Sequence, residues 1–229
     1  MRSRSSSAIV SARSTSGTGP SVVGAFGPDG SPRPRLLSTR ADVDEILVFG
    51  TSNAWQQPMV SKVAFKPTDF TPIAAMVQDE FLLWVKQDGP KDVKEYLAAE
   101  KAKGSAAKMG GAQSKDTDEL LTRMIEKAAG LKFIYIPFKS GAEAAVQLAG
   151  GHIDSHVNNP SESVGQWKGG TQRPICVFNT QRLKGPKVTA TEGWPDVPTC
   201  MESGLDIGLF QQPRTIWLDR KSTRLNSSH

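Results

Sequence analysis

Long apolar runs are missing from this 229-residue chain. No stretch reaches the ~18–20 consecutive apolar residues that a membrane-spanning helix needs, so no span is expected. Cysteine is scarce. Cys176 and Cys200 show no metal-ligand spacing, and Cys176 lies in an apolar run where it reads as a buried small hydrophobe. Whether the two cysteines pair stays open. A basic body is missing as well. The net charge is +5, but residues 1–40 carry six Arg against one Asp, and residues 219–229 carry two Arg and one Lys against one Asp. Residues 41–218 are left with 19 Lys and Arg against 21 Asp and Glu. The aromatics of that body do not alternate with basic residues, so no nucleic-acid partner is expected.

Catalytic signatures are absent too. No run matches a P-loop or a dinucleotide fingerprint. Ser114 and Ser140 do not sit in a Gly-x-Ser-x-Gly turn, and no set of Ser, His and acid is evident. His152 and His156 flank Asp154, but positions four apart on a strand are about 13 Å apart, too far for one metal ion. Asp154 reads instead as the holder of a backbone turn, and Lys139 as a solvated loop lysine or a partner for a substrate carboxylate. No catalytic residue, cofactor or metal is expected, and the chain does not read as an enzyme.

What the chain does have is an α/β pattern centred on residues 108–159. Lys108 to Ser114 reads as a glycine turn leading into a helix that starts at Thr117 and is closed by Gly130. Leu120, Leu121, Met124, Ile125 and Ala128 make its predicted apolar stripe. Phe133-Ile134-Tyr135-Ile136 predicts a buried strand. Phe138 to Glu143 forms a second turn into a helix carrying Ala144, Ala145, Val146, Leu148 and Ala149. His152 to Val157 then predicts another strand. Each turn leads into a helix N-terminus, where unpaired N–H groups and the macrodipole favour an anion. Glycine and serine are also ordinary helix-start residues. As a pair set between strands, the two turns predict a carboxylate or phosphate site. That reading fails if the turns lie on opposite sides of the molecule or under packed side chains.

The flanks fit the same pattern. Residues 1–40 are rich in Ser, Arg, Gly and Pro and read as a disordered or foreign leader, with no recognisable signal peptide. Order is predicted from about Asp44, with strands at Glu45–Phe49, Phe70–Val77 and Phe81–Val85, and an irregular connection through Pro58 and Pro67. Asp92 caps a predicted helix from Val93 to about Lys103 with Glu and Lys on its outer face. Ser161–Trp167 predicts a short helix, Arg173–Phe178 a strand, Cys200–Ser203 a helical turn and Phe210–Leu218 the last strand. Residues 219–229 read as a foreign tail.

Phe65-Lys66-Pro67-Thr68-Asp69-Phe70-Thr71-Pro72-Ile73, Ile136 to Glu143, Gly150-Gly151-His152-Ile153-Asp154 and Asp196-Val197-Pro198-Thr199 together resemble the TctC/Bug family. These are extracytoplasmic solute receptors of tripartite tricarboxylate transporters, and the resemblance covers about Ile46 to Leu218. It implies a two-lobed, type II periplasmic-binding-protein fold with crossover strands at Leu82–Val85 and Ile175–Phe178. The implied lobes are 41–86 plus 173–218, with the first lobe incomplete, and 87–172. A small organic carboxylate, of the di- or tricarboxylate class, would lie between them for delivery to membrane transporter subunits. Periplasmic location is implied with it.

Carried over by residue, the implied ligand-binding set is Thr51, Ser52, Asn53, Gly111, Ala112, Gln113, Ser114, Thr117, Phe138, Lys139, Ser140, Gly141 and Ala142, with Asn158 and Asn159 ending the next strand. Gln113 and the run Ser114-Lys115-Asp116-Thr117 stand where Gly-Ser and a downstream His are commoner, and Ser140 where glycine is usual. Nothing in residues 1–40 matches the family's opening, so ligand binding by this chain is expected to be weak or absent. Two alternatives remain: an effector-sensing domain of a transcription regulator, for which residues 1–40 offer no DNA-reading helix-turn-helix, and a small α/β enzyme acting on a carboxylated metabolite.

Overall fold

A computed structural model describes residues 21–24, 46–63 and 65–219. In chain order the elements are β1 Ser21–Gly24, β2 Ile46–Gly50, α1 Asn53–Val60, a 3-10 turn at Pro67–Asp69, β3 Phe70–Glu80, β4 Leu82–Lys86 and α2 Val93–Lys103. Then come a 3-10 turn at Gly104–Ala106, β5 Lys108–Ala112, α3 Thr117–Ala129, β6 Ile134–Phe138, α4 Gly141–Ala149 and β7 Ser155–Asn158. The chain continues with α5 Pro160–Lys168, β8 Gln172–Val177, a 3-10 turn at Trp194–Asp196 and β9 Gln211–Asp219. The expected leader and tail lie outside the described residues, apart from Asp219 and from Ser21–Gly24, which pairs in parallel with β2. Two compact units emerge: one takes in the chain up to Gln78 and from Pro213 on, the other is Asp79–Gln212.

The first unit is a sheet of order β1-β2-β9-β3, with β2 antiparallel to β9. Among its described residues, Val48 and Trp217 are buried apolar side chains. The irregular connection expected around Pro58 is in part the helix α1. Pro58 removes one N–H and disfavours a helix interior, yet it sits near the end of α1, where Ser61 N donates to Gln57 O at 2.9 Å and closes the helix.

The second unit is a five-stranded sheet of order β6-β5-β7-β4-β8. β5 runs parallel to both β6 and β7, and β4 runs antiparallel to β7 and β8. The strands Leu82–Val85 and Ile175–Phe178, expected as crossovers, thus pair with each other inside Asp79–Gln212. β4 alternates between two cores. Leu83 and Val85 pack with Phe81, Tyr96, Met109, Leu121, Ile125 and Val157, while Leu82 and Trp84 pack with Leu148, Ile153, Trp167 and Val177. Each buried side chain of this size contributes about 1.5–3 kcal/mol.

The helices form where the sequence carries caps. The Asp92 carboxylate accepts from Glu95 N at 2.8 Å and starts α2, while Gly130 at φ 65° ends α3. The predicted outer face of α2 is not all outward: Glu100 is buried. The stripe of α3 is also shifted. Leu120 is 44% exposed, and Thr122 and Glu126 are buried beside Leu121 and Ile125. Glu126 tolerates burial because it accepts from Phe133 N at 2.8 Å and pairs with Arg123 at 2.8 Å. Thr122 donates to Asp118 O at 2.8 Å.

β5 corrects a second expectation, since the glycine turn at 108–112 is a strand. Its glycines admit close neighbours. A Cβ on Gly110 would overlap Ile153 Cδ1, and one on Gly111 would lie 2.5 Å from the Tyr135 hydroxyl and 2.6 Å from Asp118 Cβ. The cysteines are buried and form a disulfide that joins β8 to the turn at Cys200, with Cα atoms 4.9 Å apart.

Two stability outcomes follow. Gly111→Ala is expected to lower unfolding free energy by about 1–3 kcal/mol through overpacking. Gly165→Ala in α5, with nothing within 4 Å of its added methyl, is expected to stabilise by up to about 1 kcal/mol. Equal losses in urea titrations would refute this account of β5. The disulfide spans 24 residues, and loop closure of that length stabilises by about 3 kcal/mol. Replacing Cys176 and Cys200 together with Ala is expected to lose about that amount, and dithiothreitol is expected to lower the wild-type melting temperature but leave the double variant's unmoved.

Candidate functional site

The parallel pairing of β5 with β6 and β7 brings three C-terminal strand ends to one edge. Ala112 lies opposite Phe138, and Gln113 N donates to Phe138 O at 2.9 Å. Gly111, Ala112, Gln113 and Ser114 therefore neighbour Phe138, Lys139 and Ser140. Asn158 ends β7 on the same edge and reaches the mouth of α4, where a Cβ on Gly141 would overlap both the Asn158 amide and Glu162 Oε2. Thr117 opens α3, and its Oγ1 accepts from Gln212 Nε2 at 2.6 Å. Asn159 turns away, its side chain donating to Glu80 O at 2.8 Å. Lys139 and Ala142 are exposed beside the α4 mouth.

Both mouths are partly filled by the chain's own oxygens. Asp118 Oδ2 accepts from Ala112 N at 2.7 Å, Asp116 Oδ1 from Thr117 N at 2.6 Å and Glu119 Oε2 from Lys115 N at 2.7 Å. At α4, Ser140 Oγ accepts from Glu143 N at 3.2 Å while Glu143 Oε2 accepts from Lys139 N at 3.1 Å. Tyr135 braces the first turn by donating to Ala112 O at 2.9 Å and Gln113 O at 3.1 Å. Gln113 and Lys115 hold left-handed backbone, at φ 44° and 60°, to complete that turn.

Asp118 is the electrostatic centre of this edge. Burial pushes its carboxyl up to about 8, Asp116 and Glu162 push the same way, and the Ala112 N–H only partly offsets them. At neutral pH it is therefore protonated and has a hydrogen to donate. Burial, helped by the neighbouring acids Asp118, Glu119 and Asp116, likewise holds the Tyr135 phenol above its usual value. Asp118, Tyr135, Glu162 and Gln212 were not among the sequence-derived residues. Asp118 sits two places past the N-cap Asp116 and Glu162 three past the N-cap Asn159, and both carry a helix-start signal, whereas Gln212 lies 95 residues from its partner and has no local signal.

The first unit places Thr51 and Ser52 separately. Both line a hollow of about 340 Å³ together with Trp55, Pro72, Ile73, Ala74, Ala75, Pro213, Thr215 and Trp217. Asn53 is the first residue of α1. The rings of Trp55 and Trp217 lie 5.4 Å apart at 53°, and Phe70 meets Trp217 edge-on at 6.4 Å. Trp217 Nε1 donates to Thr215 Oγ1, which donates in turn to Gly50 O at 3.2 Å.

Neither histidine joins a site. His156 is buried, stacked on Trp84 and 3.1 Å from Gln172 Oε1, while His152 is exposed. Among the described residues no group of three or more His, Cys, Asp or Glu is arranged to hold a metal ion, and no helix is long and apolar enough to cross a membrane.

Comparisons with known proteins give the family and the fold. The model of the TctC family, described as the tripartite tricarboxylate transporter family receptor, matches residues 38–216. A curated relative from Agrobacterium vitis, the UPF0065 protein in the TAR-I ttuE-ttuC' intergenic region, is 25% identical over 170 residues, which is 72% of this chain and 47% of that protein. A TctC solute-binding protein from Polaromonas shares 26% identity at a TM-score of 0.62, covering 80% of this chain and 64% of that one. MatC from Rhodopseudomonas palustris with bound malate matches at TM-score 0.65 and 20% identity over 80% and 62% of the two chains. An R. palustris protein with adipate matches at 0.66 and 21% over 80% and 61%. The chain thus spans about half the curated relative and less than two thirds of each of these structures. Their likeness gives the two-lobed type II periplasmic-binding-protein fold. With residues 38–216 matched by its model, the chain belongs to the TctC family of receptors.

Proposed function

We propose that this chain is an extracytoplasmic solute-binding receptor that takes a small organic carboxylate, of the di- or tricarboxylate class, for the membrane subunits of a tripartite tricarboxylate transporter. A periplasmic location belongs to this reading. The observation that carries it is the gathering of Gly111–Ser114, Phe138–Ala142 and Asn158 at one edge of parallel strands, where α3, α4 and α5 all begin. Three helix N-termini beside one another make that edge electropositive along its backbone. Malate and adipate bound to the two R. palustris proteins support the ligand class.

The role of Asp118 in this reading is specific. As a neutral acid at pH 7 it sits beside an arriving carboxylate without repelling it and offers a hydrogen bond; once ionised it adds a negative charge to the edge. The ligand's charge further favours the protonated form, so binding takes up a proton as pH approaches 8.

The same shift affects stability, and its sign is fixed. Asp118 ionises near 3.8 in an unfolded chain and near 8 in the folded one. Between those values the unfolded chain releases a proton that the folded chain keeps. Its contribution to stability is therefore complete below about pH 4 and lost as pH rises to about 8, at up to ~1.4 kcal/mol per unit. Asp118→Asn keeps an acceptor for Ala112 N and removes the titration. Melting curves from pH 4.5 to 8.5 are expected to fall less steeply for the variant than for the wild type.

The expectation of weak or absent binding sets the method for the ligand test. Nuclear magnetic resonance titration detects dissociation constants near 1 mM, about 4 kcal/mol of binding free energy. Malate and adipate are expected to bind at pH 6.5, to weaken as pH passes 8 in the wild type, and to lose that pH dependence in Asp118→Asn. Turnover of any carboxylate would overturn the receptor reading, and binding that stays pH-dependent in Asp118→Asn would overturn the role of Asp118.

A further inference from the structure

Glu162 is the third residue of α5. An acid at that position ordinarily reaches back to the N–H of its own N-cap. Here that N–H is taken, since Asn159 N donates to Asn158 Oδ1 at 2.8 Å. The Glu162 carboxylate extends instead to the neighbouring helix. A Cβ built on Gly141 would overlap Glu162 Oε2 and both amide atoms of Asn158, so these atoms crowd the first residue of α4. Asn158 is 1% exposed, with its Nδ2 3.4 Å from Ser163 Oγ, whereas Glu162 is an exposed residue. The donors of the α4 first turn are divided as well. Glu143 N goes to Ser140 Oγ and Ala144 N to Ser140 O, each at 3.2 Å, which leaves the N–H groups of Gly141 and Ala142 at the mouth. A carboxylate of the chain itself therefore stands where those two donors and the positive end of the helix draw an anion.

We propose that Glu162 is an internal competitor for the ligand: its carboxylate holds the α4 mouth in the unliganded chain and gives way when a carboxylate of the ligand arrives. The inference rests on the receptor reading above and adds to it the residue that sets affinity. Charge makes the two occupants exclusive. Two carboxylates against one glycine repel each other. Lys139, exposed beside the mouth, supplies one positive charge, enough for one carboxylate and not for two. Exposure decides which neighbour moves. Asn158 is buried and held on both sides of its amide, so it stays as a fixed wall. Glu162 turns out to water about its own rotatable bonds and leaves the packing intact. Its charge is felt across the edge, since it is one of the two acids that push the Asp118 carboxyl up. A ligand that must displace such an occupant binds with its intrinsic affinity reduced by the fraction of time the mouth stands open.

The test titrates malate and adipate at pH 6.5, by nuclear magnetic resonance, into the 229-residue wild type, Glu162→Gln and Glu162→Ala. Gln removes the charge and keeps the length, and Ala removes the occupant altogether. Both variants are expected to bind at least about tenfold more tightly than the wild type, because one like charge at contact distance is worth that much or more. Glu95→Gln serves as the control for net charge. Glu95 lies in the first turn of α2, which starts at the opposite edge of the sheet because β4 runs antiparallel to β7, and its replacement is expected to leave affinity unchanged. Melting curves verify that the variants fold. Loss of an acid beside a helix N-terminus lowers the melting temperature slightly, but a purely structural role for Glu162 gives no gain in affinity. No gain in either Glu162 variant, including binding by none of the proteins, or an equal gain in Glu95→Gln, overturns the inference and leaves the receptor reading standing. Turnover of malate or adipate overturns the receptor reading, and this inference with it.

Discussion

The hydrogen-bonded seam that sets β5 between β6 and β7 decides where everything else in the second unit goes. Because all three run the same way, their C-terminal ends share one edge, and each end feeds a helix. That seam needs glycine. At Gly110 the neighbouring sheet face brings Ile153 against the backbone, and at Gly111 Tyr135 and Asp118 close over it. Any side chain at those two positions would push the strand away from the residues that shape the following turn. The turn then inherits its geometry: Gln113 and Lys115 go left-handed, Tyr135 holds two of its carbonyls, and α3 starts at Thr117.

The same edge shows competition between a helix and any ligand for one set of donors. An N-terminal cap stabilises a helix by about 1 kcal/mol, and an acid in the first turn by about 0.3–1 kcal/mol. α3 uses three acids this way and α4 a serine and a glutamate. A protein tuned only for stability would ionise all of them. Here burial keeps Asp118 neutral near pH 7, so the most enclosed of the acids adds no charge to the edge. An anion therefore meets a less negative surface than the sequence, with Asp116, Asp118 and Glu119 in a row, would indicate.

Much of this was legible in the residues. Asp92, Gly130 and Ser140 marked helix ends because their chemistry is local, and β2, β4, β8 and β9 fell where apolar runs sit between turn residues. The turns that remain between strand and helix, at Gln113–Asp116 and Lys139–Ser140, were found for the same reason. The misses have physical causes. Pro58 hid α1, because a proline near a helix end breaks the pattern without breaking the helix. The glycines of β5 read as a turn, because their reason for being glycine is Ile153 and Tyr135, far off in sequence. Leu120 entered the predicted stripe although Thr122 and Glu126 are the buried neighbours, which only their partners at Asp118, Arg123 and Phe133 make tolerable. The disulfide and the Trp55–Trp217 pair depend on three-dimensional proximity alone.

β7 explains how the edge is held steady. It carries polar side chains where an interior strand would ordinarily be apolar, and each has a partner. The Tyr96 hydroxyl meets Ser155 Oγ at 2.8 Å, His156 meets Gln172 at 3.1 Å, and Trp84 Nε1 donates to Asn158 O at 3.2 Å. Asn158 Oδ1 accepts from Asn159 N at 2.8 Å, and its Nδ2 lies 3.4 Å from Ser163 Oγ. Burial holds His156 down near 4, so it stays neutral and serves as a hydrogen-bonding spacer. An unmade bond among such buried groups would cost about 1–3 kcal/mol, so the row holds Asn158 at the end of β7. Asn158 and Glu162 both lie against the first turn of α4 at Gly141. The polar row is thus a positional device: it sets how much room is left beside Gly141 for anything that approaches the three helix mouths.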